Sequence, residues 1–239
     1  MRAILILSFF ILSYTASAQT SLSSFITQAD NFFSEYVKAG RVDYKAVMGD
    51  DVKINGLYKA IGEMNLSGAS AEDKKAFYIN AYNLVVIYQV SKYYPLKSPL
   101  DQSGFFNKVK HKVAGESLTL NALEIKKLIL TYKDPRIHFA LACAAVSCPP
   151  LASFAYKPAT LNQQLDERTK KSVNNPDWLK VHASQKSVEL SKIFEWYKDD
   201  FSMNGAKSVI SFINQYRTKK IPDSYKVGYY EYDWNLNES

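Results

Sequence analysis

The chain has little cysteine: Cys143 and Cys148 are the only two in 239 residues. That excludes a small fold held together by several disulfides. There is no internal repeat and no low-complexity run. No stretch rich in proline, glycine and serine divides the chain into blocks. A basic block is also missing. Lys74-Lys75, Lys126-Lys127, Lys170-Lys171 and Lys219-Lys220 are isolated pairs, without the aromatic interleaving of a nucleic-acid surface. Nucleic acid is therefore not an expected partner. What is present is an ordinary soluble balance of 47% hydrophobic, 14% aromatic and 22% charged residues. Collagen-like and wholly disordered classes are excluded, and the length suffices for one domain with its own core.

The N-terminus has the pattern of a secretory signal. Arg2 supplies a positive charge, Ile4 to Leu12 form a short apolar run, and Ala16-Ser17-Ala18 is a small-residue cleavage site. The apolar run is shorter than the roughly 20 residues a spanning helix needs. The expectation is a mature chain that starts at Gln19, carries no transmembrane helix and is exported to the periplasm or secreted. Removal of residues 1–18 takes away Arg2 alone among the charges, so +7 becomes +6. Residues 19–239 read as a single globular domain.

Apolar periodicity places a helix over Phe25, Ala29, Phe32, Phe33, Tyr36 and Val37, ended by Gly40. The strongest helix runs from Ala71 to Tyr93, with Ser70 as cap, Asp73 at the third position and Pro95 as stop. Its centre is apolar on nearly every face, so it belongs inside the domain. Alternation predicts hairpins over 108–120 and 178–190. Further helices are expected from Asn121 to Tyr132, from Thr160 to Val173, from Ser191 to Phe201 and from Ala206 to Lys219. Val227 to Tyr232 reads as extended. The class is α+β: mostly helical, with a long buried central helix and short antiparallel strand pairs.

Chemistry concentrates in residues 134–151, which hold both cysteines, His138 and a Pro-Pro pair. Asp134 as cap, Pro135 and four alanines favour a helix, with a buried strand as the competitor. Pro149 forces Cys148 toward an extended backbone. If Pro149 opens a helix, Cys148 sits at its N-terminus, where unpaired N–H groups favour the thiolate. Three readings of the sulfurs stay open: a Cys143–Cys148 disulfide or inert thiols, a nucleophilic Cys148, and a metal site with His138.

For a nucleophilic Cys148, His138 is the base, and His182 with Glu189 is the rival. A core histidine bonded to backbone is the bland reading of His138. His111, among lysines, is expected at the surface. Asn80 and Asn83 lie three apart on one side of the apolar helix. They either tie a neighbouring loop to it or serve as an oxyanion donor or base orienter. Glu124, Asp134 and Arg136 suit capping and surface pairing, or a charged ligand. Glu195 to Phe201 reads as core plus solvated edge. The 17 tyrosines and three tryptophans suit a carbohydrate or peptide groove, and equally a packed core.

Four blocks carry a family resemblance. They are Phe77 to Asn83, Ile137 to Leu151, Phe194 to Tyr197 with Asp200-Phe201, and Tyr232 to Asn237. Together, over about Arg41 to Asn237, they resemble the domain-of-unknown-function family 547. Tyr78 stands where such proteins commonly have tryptophan. The resemblance transfers no reaction. It implies that Asn80, Asn83, His138, Cys143, Cys148 and Asp233 occupy signature positions, and that the protein is an exported bacterial one.

The leading expectation is a cysteine-dependent hydrolase or acyltransferase on an amide or ester. Cys148 is its nucleophile, His138 its base and Asn80 an orienter or oxyanion donor. Asn83, Arg136 and Asp233 are assigned to an unidentified small-molecule or peptide substrate. No metal and no cofactor are assigned. The alternative is a non-enzymatic periplasmic binding or scaffold domain stapled by Cys143–Cys148.

Overall fold

The computed structural model describes residues 20–202 and 205–239. The expected signal sequence and its expected cleavage site lie outside the described residues. The architecture is α+β. Helices α1 (Leu22–Tyr36), α2 (Tyr44–Gly49), α3 (Asp51–Glu63) and α4 (Ala71–Tyr93) form the first half, with a two-residue hairpin of β1 (Val37–Lys38) and β2 (Arg41–Val42) after α1. Ser70 accepts the Asp73 N–H while Asp73 accepts the Ser70 N–H, so α4 starts on the capping box its sequence announces. Helices α1, α2 and α3 all pack on α4. Its Phe77, Ile79, Leu84, Val85 and Val90 are fully buried. Each such side chain contributes about 1.5–3 kcal/mol of transfer free energy, which is why a helix without a polar face is stable here.

The hairpin β3 (Lys110–Val113) and β4 (Glu116–Thr119) turns at Ala114-Gly115, both at positive φ. It feeds a helix whose middle departs from expectation. Thr119, not Asn121, supplies the cap. Short α turns, α5 (Leu120–Ala122) and α6 (Leu130–Tyr132), flank a π-helical stretch, Leu123–Ile129. Leu123 and Leu128 are five residues apart and both buried. A π turn bonds residues five apart, so it puts both on the core face where an α turn would not.

Residues 134–151 are neither the expected helix nor a strand. Asp134 caps a single 3-10 segment, Pro135–Phe139, and the chain then runs irregularly. Ile137 enters the α4 core, whereas Phe139 enters a second hydrophobic cluster with Phe194, Phe201 and Phe212. That cluster is built by α7 (Leu161–Val173), β5 (Leu179–His182), β6 (Ser187–Leu190), α8 (Ile193–Trp196), α9 (Val209–Tyr216) and β7 (Lys226–Tyr229). Strands β5 and β6 pair antiparallel, but β7 joins β6 in parallel. Helix α8 is far shorter than the pattern from Ser191 to Phe201 predicts. Thr160 makes no side-chain cap, although α7 begins beside it.

The C-terminal residues stitch the irregular loop to the helical half. The Val146 N–H donates to Asn235 O at 2.8 Å, Ser147 N–H to Asp233 O at 3.1 Å, and Asn237 N–H to Ala144 O at 2.9 Å. Asn237 also accepts the Tyr44 hydroxyl at 2.8 Å. Gly40 holds the other side of the loop. Its φ is +85°, its carbonyl accepts the Leu151 N–H at 3.1 Å, and a Cβ there would collide with Pro150.

Candidate ligand pocket

A cavity of about 490 Å³ opens where α4, the π-helical stretch, the residue 134–151 loop and the C-terminal segment meet. Its walls are aromatic: Phe105, Phe106, Trp196, Tyr197, Tyr232 and Trp234 line it. Trp196, Tyr232 and Trp234 form one contiguous group, with ring centroids 4.8–6.0 Å apart. Trp196 is 49% exposed, an apolar surface that no neighbour covers fully. The tail bonds to residues 144–147 are what bring Tyr232 and Trp234 to this wall.

Glu124 projects from the π-helical stretch into the same cavity. Among the described residues that line it, Glu124 is the one with a carboxylate, and none is lysine or arginine. The Tyr197 hydroxyl donates to it at 2.9 Å. Burial first, and then the Glu124 charge, push the Tyr197 phenol well above its ordinary pKa. Burial does the same to Tyr82 and Tyr232, again with Glu124 adding to it. The Tyr197 and Tyr82 hydroxyls therefore stay protonated as donors to this carboxylate. Tyr197 and Tyr82 both bond to it, and the several acceptor positions of a carboxylate leave capacity for a ligand.

His138 also lines the cavity. Its Nε2 lies 2.8 Å from the Asp200 carboxylate. A carboxylate only accepts, so Nε2 carries a proton in this contact. The ring packs on Tyr197 and Phe201.

The two sulfurs form one bond, Cys143–Cys148, with Cα atoms 6.0 Å apart. Cys148 is 3% exposed, and no helix begins at Pro149. In this structure Cys148 is thus not the free thiolate that a nucleophile requires, nor at a helix N-terminus. Its Sγ instead accepts the backbone N–H of Cys143 at 2.9 Å and of Ala145 at 3.3 Å. Cys143 faces the cavity, with its Sγ 3.2 Å from the Tyr232 hydroxyl. Among the described residues, no group of three histidine, cysteine or acidic side chains is placed to hold a metal ion.

Of the other residues assigned from sequence, none lines this cavity. Asn80 donates to Tyr156 O at 2.8 Å and accepts Tyr156 N–H at 2.9 Å. Asn83 bridges Ala140 O and Ala142 N–H in the same way, at 2.8 and 2.9 Å. Both amides tie the loop to α4, the arrangement that the bland reading of the pair expects. Arg136 is held by Asp134, Asp166 and Asn162. Burial alone would raise the Asp134 pKa, but Arg136 and Lys75 overcome it and bring it to about 2. Asp233 is exposed and accepts the Asn235 N–H in a turn. His182 and Glu189 pair at 3.6 Å on the outside of the β5–β6 hairpin. His111 is buried, not exposed: Tyr58 and Gln89 enclose its ring.

Residues 66–172 match the model of a family described as "Protein of unknown function, DUF547". The match supports assigning this stretch of the chain to that family. The matched stretch holds α4, the π-helical stretch with Glu124, His138 and the disulfide. The cavity walls at Trp196, Tyr232 and Trp234 lie beyond it. No curated protein and no solved structure matches the chain.

What sequence reasoning passed over is the aromatic grouping of Trp196, Tyr232 and Trp234 at the pocket, and Asp200 as the partner of His138. Glu124 was offered for capping and surface pairing, or for a charged ligand, without any sign of the pocket it enters. The signal that marks it otherwise is the five-residue spacing of Leu123 and Leu128.

Proposed function

We propose that this protein is an exported small-molecule-binding domain whose pocket takes an organic cation bearing a flat or apolar body. The observation that carries this is Glu124, the one carboxylate among the described residues that line an aromatic-walled cavity, where no lysine or arginine and one imidazole, His138, join it, on a chain whose formal net charge is +7. Aromatic faces attract cations, and a carboxylate among them strengthens that preference. Export is supported by the disulfide, since such bonds persist in oxidising compartments. It is also supported by the lack, among the described residues, of any helix long and apolar enough to cross a membrane. A cysteine-dependent hydrolase or acyltransferase needs a free thiolate. Both sulfurs here share one bond, so the binding reading is the better supported.

The test is a titration of tryptophan fluorescence with 2-phenylethylamine and with its neutral counterpart, 2-phenylethanol. The amine is expected to change the emission saturably and to bind about tenfold or more tightly than the alcohol. Equal affinity for the two, or no saturable change, overturns the reading.

A further inference from the structure

We infer that the cation this pocket takes is a small aminothiol, and that it undergoes thiol–disulfide exchange with Cys143–Cys148, Cys143 being the sulfur attacked. The inference rests on the reading of the pocket as a cation site and adds the reaction. The two sulfurs are unequal. Cys143 lines the cavity, whereas Cys148 is 3% exposed behind it. Exchange needs access to the attacked sulfur and a leaving sulfur whose negative charge is stabilised. The Cys148 Sγ already accepts two backbone N–H groups, from Cys143 and Ala145, which will hold the thiolate as it forms. Tyr232, 3.2 Å from the Cys143 Sγ, has a hydroxyl to donate when that sulfur later becomes the thiolate. Glu124 on the same cavity selects a thiol that also carries an ammonium group.

A first thiolate forms a bond to the Cys143 Sγ. The Cys143–Cys148 bond breaks, and its electron pair leaves on Cys148. A second thiolate attacks the ligand sulfur of the mixed disulfide and expels Cys143 as thiolate. The protons lost by the two small thiols end on the two cysteines. Two small thiols are thereby oxidised to one small disulfide, and the protein disulfide is reduced to a dithiol. A second small disulfide reverses the steps and restores the protein, so the net activity is interchange between small thiols and small disulfides.

The experiment uses the full mature chain with cysteamine and with the anionic 2-mercaptoethanesulfonate, compared at equal thiolate concentration and followed by acid quench, alkylation and mass spectrometry. Cysteamine is expected to open the disulfide about tenfold faster than the sulfonate, and Glu124→Gln to bring the two rates together. In Cys148→Ser, cystamine is expected to form its mixed disulfide on Cys143 about tenfold faster than it does on Cys148 in Cys143→Ser. A disulfide that neither thiol opens in the folded wild-type protein overturns the inference. So does equal reactivity of the two thiols, or faster capture at Cys148. Saturable binding of 2-phenylethylamine to a protein whose disulfide resists cysteamine would remove the exchange while leaving the cation site standing.

Discussion

The Glu124 carboxylate and the Tyr197 hydroxyl meet at 2.9 Å although 73 residues separate them. Glu124 comes from the π-helical stretch that packs on α4, and Tyr197 directly follows α8 in the second hydrophobic cluster. This bond therefore joins the two packed regions at the cavity, and it fixes the direction of the charge inside it. Replacing Glu124 by alanine would leave the Tyr197 hydroxyl unpartnered and cost about 1–3 kcal/mol of stability. Glu124→Gln keeps an acceptor oxygen for Tyr197 and removes only the charge. The expected outcome is near-unchanged stability in urea, with affinity for 2-phenylethylamine reduced about tenfold or more. An unchanged affinity would show that the carboxylate is not what selects the ligand.

The disulfide closes a loop of small sequence separation, five residues. Chain entropy then gives it a stabilisation on the order of 2 kcal/mol. For a chain of this size, that corresponds to about 4–8 °C in Tm. Reduction, or the double change Cys143→Ser with Cys148→Ser, is expected to lower Tm by that amount without unfolding the protein at room temperature. The same loop receives Asn235, Asp233 and Asn237 through its backbone, so tryptophan emission from Trp234 should shift on reduction. A Tm that does not respond to reductant would mean the bond constrains nothing the C-terminal contacts do not already hold.

Asn80 and Asn83 separate a structural from a catalytic role by what their loss does. Each is fully engaged, as donor and acceptor, with backbone of the loop that carries His138 and the disulfide or its continuation. Asn80→Ala strands a buried N–H and a buried C=O at Tyr156, which costs about 3 kcal/mol. Asn80→Asp keeps the acceptor and loses the donor, and it should be less destabilising than alanine where the protein is acidic enough to protonate it. Urea unfolding checks both. Full stability in Asn80→Ala, together with lost ligand binding, would restore the functional reading that the sequence left open.

The long helices were legible because their signals are local. The Ser70–Asp73 box and the stop at Pro95 depend on residues within a few positions, and α4 runs over the range they mark. Hairpins 110–119 and 179–190 follow the same rule, since alternation and turn residues suffice. The stretch after Phe139 was not legible. Four alanines favour a helix by propensity, but Asn83 captures the Ala140 and Ala142 backbone, and the tail captures that of Val146 and Ser147. Those partners lie far away in sequence, and they outweigh a preference of a few tenths of a kcal/mol per residue. The cavity was hidden for the same reason: Glu124, His138, Cys143, Trp196 and Trp234 come from separate segments that only the tail and the second cluster bring together. Tyr232 and Trp234 were visible as residues of a family block, without any sign of which face they build.

His111 gives the clearest pH dependence. Burial holds its pKa down at about 4, against an ordinary value near 6.5. The Gln89 carbonyl oxygen accepts from Nε2, so the neutral ring takes the Tyr58 hydroxyl on Nδ1, 3.1 Å away. Protonation would destroy that acceptor inside the core. Because the folded value is depressed, the unfolded chain binds the proton first. The stabilisation is complete above about pH 6.5 and is lost as the pH falls toward about 4, by about 3 kcal/mol in all. Asp134 does not confuse this window. Its depressed pKa, about 2, keeps its contribution until the pH falls below the ordinary carboxylate range near 4. Urea unfolding of the wild type and of His111→Gln at about pH 7 and about pH 4 checks the claim. The difference between the two proteins should change by about 3 kcal/mol between those conditions, in the direction that favours the variant at acid pH. A wild type whose stability relative to the variant does not move would place the His111 ring in contact with water, contrary to its packing between Tyr58 and Gln89.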